Sequence, residues 1–124
     1  MKKTITAYGL AESIFSAMNT RDLSILEKNL AEEAVFDFPG TEKINGRRKI
    51  LLFLKVLFRN YPTLQFTIEE VLIDGERACV VWNNEGKSRE GTVYKNNGIT
   101  YVRLSEGTII YISDYFKDTS FVKQ

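Results

Sequence analysis

Thr92-Val93-Tyr94-Lys95-Asn96-Asn97-Gly98-Ile99-Thr100-Tyr101-Val102-Arg103-Leu104 runs through Ser105-Glu106-Gly107 into Thr108-Ile109-Ile110-Tyr111-Ile112-Ser113-Asp114-Tyr115-Phe116. β-Branched and aromatic residues dominate both runs, and the Gly-containing triplet between them has the composition of a turn. The stretch reads as two antiparallel strands. Asn97-Gly98 is, by local rules, a hairpin turn of its own, so a break there competes with one long strand. If the strand continues, Tyr94, Asn96, Gly98, Thr100 and Val102 share a face, because side chains alternate along a strand. By the same alternation Ile112, Asp114 and Phe116 share a face of the last strand.

Upstream, Leu64, Phe66 and Ile68 alternate with Gln65 and Thr67. After Glu69-Glu70 the apolar phase moves to Val71 and Ile73, which predicts a bulge. Asp74-Gly75 predicts a hairpin turn, residues 78–83 the next strand, and residues 85–91 a polar, Gly-containing turn. Trp82 and Asn84 share a face there.

The first half has helical spacing. Ala7, Leu10, Ala11, Ile14, Ala17 and Met18 form one stripe, with Phe15 beside it. Asn19-Thr20-Arg21-Asp22 breaks the pattern and offers Thr20 and Asp22 as caps. Leu23, Leu26 and Leu30 carry a short second helix that Glu32-Glu33 ends. Ala34-Val35-Phe36-Asp37-Phe38 reads as a strand stopped by Pro39-Gly40. Asn45 is a cap candidate for a third helix, in which Ile50, Phe53, Leu54, Leu57, Phe58 and Tyr61 form a stripe widened by Leu51, Leu52 and Val56. Such a helix is expected to be buried on more than one side, and Pro62 ends it. Helices followed by a meander predict an α+β fold, with helices on one face of a curved sheet and a pocket inside the curve.

Composition narrows the chemistry. A chain of 124 residues is one domain, 1–124, and a net charge of +1 gives no footprint for nucleic acid. The absence of His excludes Ser-His-Asp and Cys-His catalysis and His metal sites. One Cys, Cys79, excludes an internal disulfide and fits a cytoplasmic location. The basic start Met1-Lys2-Lys3-Thr4 is followed by Tyr8, Gly9 and Glu12, which interrupt any signal-peptide core. The longest apolar run, Ile50-Leu51-Leu52-Phe53-Leu54, is far short of the ~20 residues a membrane span needs.

Asn19-Thr20-Arg21-Asp22-Leu23, Ala34-Val35-Phe36-Asp37-Phe38-Pro39-Gly40 and Asn45-Gly46-Arg47 resemble the nuclear transport factor 2-like superfamily. Trp82-Asn83-Asn84-Glu85-Gly86, Tyr94-Lys95-Asn96-Asn97-Gly98, Gly107-Thr108-Ile109 and Asp114-Tyr115-Phe116-Lys117-Asp118-Thr119 resemble its SnoaL-like branch. That branch is named for polyketide cyclases and lies close to ketosteroid isomerases and limonene epoxide hydrolases. The resemblance covers nearly the whole chain. It implies a cone of three N-terminal helices packed on a curved antiparallel sheet.

The catalytic residues of those relatives carry over poorly. The isomerase's oxyanion-hole Tyr falls on Ile14, its base Asp on Phe38 and its second Asp on Thr100. Asp37 is expected on the opposite side of its strand. The hydrolase's Asp before Tyr-Phe matches Asp114, whereas its Arg and second Asp fall near Val81 and Asn83. The match of Thr100 to a pocket residue implies that the Thr100 and Asp114 faces point inward.

Asp114 is accordingly the candidate catalytic group. The competing reading is a structural hydrogen bond to Asn96, Tyr94 or Trp82. The candidate ligand-binding set is Phe15, Phe38, Phe53, Trp82, Asn84, Tyr94, Asn96, Thr100, Ile112 and Phe116. The two Asn side chains serve either a ligand or buried strand edges, and the aromatics either a cavity or the core. Arg47-Arg48-Lys49 reads as a solvated surface in preference to an anion contact. The expected ligand is a small, largely apolar molecule, with no cofactor, no metal, no nucleic acid and no membrane. Apolar and aromatic residues on both faces of the sheet, Val81, Tyr101 and Tyr111 among them, predict a homodimer paired through the outer face.

Overall fold

Thr6 starts the first helix: its hydroxyl oxygen accepts the Gly9 N–H at 2.9 Å. This is a computed structural model, and it describes residues 6–120; the basic start, residues 1–4, lies outside the described residues. The elements in chain order are α1 (Ala7–Thr20), α2 (Ser24–Asn29), β1 (Leu30–Asp37), β2 (Ile44–Asn45) and α3 (Arg47–Asn60). They are followed by β3 (Gln65–Asp74), β4 (Arg77–Lys87), β5 (Val93–Ser105) and β6 (Thr108–Phe116).

The break after α1 does more than stop a helix. Arg21 takes a left-handed conformation, φ 67°, and ends α1. Its guanidinium then donates to the carbonyls of Met18, Tyr61 and Pro62 and lies 4.9 Å from the centre of the Phe58 ring. Asn19 plugs into the start of β3, accepting the Phe66 N–H at 2.7 Å and donating to the Phe66 carbonyl at 2.9 Å. These two residues fix the ends of α1 and α3 relative to each other and to the sheet. Neither expected cap takes the N-cap position of α2, which is Leu23 and has no side-chain cap; Asp22 accepts the Ser24 N–H at 3.0 Å and Thr20 ends α1.

The six strands form one sheet in the order β2-β1-β6-β5-β4-β3. The β3–β4–β5–β6 meander is antiparallel, and β1 joins β6 in parallel. The bulge expected at Glu69-Glu70 lies between Ile68 and Glu70, and the turn after Asp74 holds Gly75 at φ 62°. Register shifts in the β1–β6 and β5–β6 pairings add local bends. Together they let the sheet curve over α1 and α3. Trp82, Leu26, Leu30, Ile50, Ile109, Val80 and Val102 are fully buried between the layers.

The long strand expected over residues 92–104 is β5; Asn97-Gly98 lies inside it, and the competing turn does not form. Three local expectations are corrected. Residues 30–33 belong to β1, not to α2; Leu30 is buried in either reading, so burial does not distinguish them. Gly46, not Asn45, precedes α3, and the Asn45 amide donates to the Lys43 carbonyl instead. α3 buries one side only: Ile50 and Leu54 are covered, whereas Leu52 and Val56 are exposed. Among the described residues no helix is long and apolar enough to cross a membrane.

Candidate functional site

Phe38 follows the end of β1, and its ring meets Phe53 of α3 at 4.9 Å and Phe116 of β6 at 5.3 Å, both edge-on. Phe116 continues to Trp82 at 5.4 Å, Trp82 to Phe66 at 5.1 Å, and Phe66 to Phe15 at 5.5 Å. Edge-to-face rings of this kind make a rigid apolar wall. Between this wall and the helices lies a cavity of about 200 Å³. Met18 of α1 and Leu54 and Leu57 of α3 face the strands across it. Val56, Asn60 and Tyr61, at the solvent end of α3, rim the mouth.

Polar groups in the lining are few. Asp114 on β6 lines the cavity and also a second, small inner pocket of about 20 Å³ (the inner extension below), whose lining includes Phe15, Thr100 and Ile112. One oxygen of Asp114 accepts the Thr100 hydroxyl at 2.6 Å, and that hydroxyl oxygen in turn accepts the Trp82 indole N–H at 2.9 Å. The chain Trp82→Thr100→Asp114 is possible because Thr100 stands opposite Asp114 in the register, with Trp82 on the neighbouring strand. Among the described residues Thr100 is the only protein hydrogen-bond partner of the Asp114 carboxyl. Asp114 as a residue is half-buried and lies among the residues lining both spaces. Burial pushes its pKa up from 3.8 to about 7, against the opposing effect of the Thr100 hydrogen bond. Both protonation states are therefore populated at neutral pH.

Asn84 on β4 is only 5% exposed and lines the same cavity, yet its Oδ1 has no hydrogen-bond partner. Tyr94 lies at the rim with its ring 5.4 Å from Tyr61, and its hydroxyl accepts from the Asn96 amide at 3.0 Å. Burial raises the Tyr94 phenol, so it stays neutral.

The structure sorts the expected residues into three groups. Phe38, Phe53, Asn84, Tyr94, Asp114 and Phe116 line the main cavity. Phe15, Thr100 and Ile112 line the inner extension. Trp82 and Asn96 line neither. Trp82 is fully buried behind Phe66 and Phe116. Asn96 points to the chain end, donating to the Asp118 carbonyl at 2.9 Å and accepting the Asp118 and Asn97 N–H groups. It thus serves the strand edge, not the cavity. The structural partners expected for Asp114 are also corrected: it bonds Thr100, and Trp82 acts on it only through that hydroxyl. Asp37 does face the other side, where it accepts from Tyr111 at 3.3 Å. The helix contributors Met18, Leu54, Val56 and Asn60 were not expected. Their apolar members sit in the same stripes as the core, and nothing in the pattern separates a lining residue from a packed one.

Thr100→Val tests the hydrogen-bond chain. It preserves volume but leaves the Trp82 N–H without an acceptor, so a loss of about 1–3 kcal/mol is expected in urea unfolding at pH 7. An unchanged unfolding midpoint would contradict the chain.

Residues 11–112 match the SnoaL-like domain family. The chain belongs to that family. No match is found among the curated proteins. Among solved structures, this SnoaL-like domain is similar to a proposed polyketide cyclase from Xanthomonas campestris, at 20% identity and a TM-score of 0.85, over 94% of this chain and 93% of that one. A proposed SnoaL-like polyketide cyclase from Jannaschia sp. CCS1 gives 15% identity and 0.82, over 94% and 92%. A nuclear transport factor 2-like protein of unknown function from Cytophaga hutchinsonii gives 18% and 0.78, over 99% and 100%. At such identities the likeness is one of fold, and the SnoaL-like domain here has the nuclear transport factor 2-like architecture.

Proposed function

We propose that this SnoaL-like domain binds a small, largely apolar carbonyl compound in the cavity and moves a proton on it with Asp114. The observation that carries the reading is a carboxyl facing a mostly aromatic and aliphatic cavity, one oxygen held by Thr100 and the other without a protein partner among the described residues. With its pKa raised to about 7, the group suits acid–base work near neutrality. Ionised, it takes a proton from the carbon beside a carbonyl: the C–H bond breaks, an O–H bond forms on Asp114, and the electron pair moves to the carbonyl oxygen as an enolate. Protonated, it returns that proton to carbon or donates a hydrogen bond to the ligand oxygen.

Cyclohexanone in D₂O tests this directly, with deuterium entry beside the carbonyl followed by NMR. The wild type should accelerate exchange over buffer, with a rate that rises with pH and levels off above about 7. Asp114→Asn should lose about a hundredfold or more of that rate. A second reading, a ligand-binding module without turnover, is favoured by the apolar residues Ile14 and Phe38 at positions where the isomerases resembled in sequence carry their Tyr and base. Exchange no faster than in buffer, with ligand still bound, would establish that reading instead.

The outer face of the sheet supports the proposed homodimer. By register Leu72, Val81, Ile99, Tyr101 and Tyr115 point away from the helices, and Tyr115 is 62% exposed. Pairing through this face would cover them. Light scattering should give a particle of twice the 14.2 kDa chain mass, and Tyr115→Glu should shift it toward the monomer. A monomer at micromolar concentration in the wild type would overturn the proposal.

A further inference from the structure

The cavity limits its occupant in size and in chemistry. A dry cavity of about 150 Å³ accommodates benzene, and this one is about 200 Å³. It has room for a single ring with one or two small substituents, and not for a fused multi-ring skeleton held inside.

Asp114 and Asn84, both in the lining, sit at different places in the sheet. Asp114 is in register with Thr100, and Thr100 with Val80. Asn84 lies further along β4, beyond Trp82 in the same inward phase. With strands ~4.8 Å apart and a rise of ~3.3 Å per residue, the two backbones are about 16 Å apart on a flat sheet. The curvature and the inward side chains shorten that gap. At that spacing, meeting both side chains takes a molecule with a polar group at each end.

The two side chains also ask for different groups. The Asn84 Oδ1 is a buried acceptor without a donor, an arrangement that native structures rarely leave unsatisfied. A hydroxyl on the ligand supplies the missing donor. It serves the amide in the flipped orientation as well, because a hydroxyl also accepts. The Asp114 carboxyl, when protonated, is a donor and takes a carbonyl oxygen.

We infer that the cavity takes a single-ring or comparably small hydroxy-carbonyl compound, with its hydroxyl at Asn84 and its carbonyl at Asp114. The inference rests on the proposed ligand-binding reading and adds to it the size limit and the second polar end.

Isothermal titration calorimetry at about pH 6, with Asp114 mostly protonated, distinguishes the parts. The probes are 4-hydroxyacetophenone, acetophenone and progesterone. The wild type should bind 4-hydroxyacetophenone about tenfold more tightly than acetophenone, and progesterone least. In Asn84→Leu that preference should vanish or reverse while acetophenone binding persists, which also shows that the variant is folded. Equal affinity for the two ketones in the wild type would overturn the role of Asn84. Progesterone binding as tightly as 4-hydroxyacetophenone would overturn the size limit. Failure of all three probes to bind would overturn the underlying ligand reading, and this inference with it.

Discussion

Asp114→Asn is expected to raise stability at neutral and alkaline pH, by on the order of 2–4 kcal/mol. The folded protein holds the Asp114 proton up to about pH 7, whereas an ordinary carboxyl loses it near 3.8. Between those two values the folded state binds more protons than the unfolded one. Stability contributed by this group is therefore complete below 3.8, falls as pH rises, and levels off above about 7. Each pKa unit is worth ~1.4 kcal/mol, which sets the scale. Asn keeps the shape and an oxygen for the Thr100 hydroxyl, and carries no charge to desolvate. Urea unfolding of the two proteins from pH 4 to 9 should show the wild-type curve falling away while the Asn variant changes less. A loss of stability in the Asn variant at pH 7 would mean that Asp114 is an ionised structural anchor of β6, and would overturn the proposed acid–base role.

Gly98→Ala is expected to cost roughly 3 kcal/mol or more, the upper range for forcing atoms into a packed interior. Gly98 stands in register between Trp82 and Phe116, whose rings meet at 5.4 Å. A Cβ there would lie 2.2 Å from the Tyr115 carbonyl oxygen, 3.1 Å from the Trp82 ring and 3.2 Å from the Phe116 Cα. The backbone of β6 has to move, and Phe116 and Asp114 move with it. Urea unfolding and the near-ultraviolet signal of Trp82 would read both effects. A variant within about 1 kcal/mol of wild type, with an unchanged Trp82 signal, would show that the strands can part there without cost.

The same glycine explains one place where sequence reading divides. Asn97-Gly98 has the chemistry of a turn, and only the rings on the neighbouring strands reveal that the glycine serves close approach inside a strand. Elsewhere local chemistry sufficed. The phase change at Glu69-Glu70 is a bulge because the β3–β4 register shifts by one residue there: Ile68 faces Trp82 and Glu70 faces Val81, with Glu69 extra between them. The Asp74-Gly75 turn needs a positive φ, and glycine supplies it. At residues 30–33 the two readings bury the same Leu30, so local pattern could not choose; pairing with β6, far along the chain, decides for a strand.

The candidate site was legible to a similar depth. Alternation told which residues share a face, and the family resemblance, through Thr100, turned the faces of Thr100 and Asp114 inward, as the register has them. It carries no information on how far along a strand the cavity extends. Trp82 and Asn96 therefore fell inside the expected set although one is packed behind the wall and the other bonds Asp118. The helix side of the cavity was hidden for a different reason. Met18 and Leu54 occupy the same stripe positions as core residues, and whether a gap opens beside them depends on the angle that Arg21 and Asn19 impose on the helices.

The parallel pairing of β1 with β6 also sets the order in which the molecule can be made. β1 is the first strand of the sheet in chain order and finds its inner neighbour only in β6, the last of the described strands. Loop closure on that scale is slow, since its entropy cost precedes any gain from the contact. During synthesis β1 therefore keeps one edge unpaired until β6 has been made, although β3 and β4 can already cover α1. The strand that completes the sheet is also the one that carries Asp114, so the carboxyl enters its buried place only as folding closes.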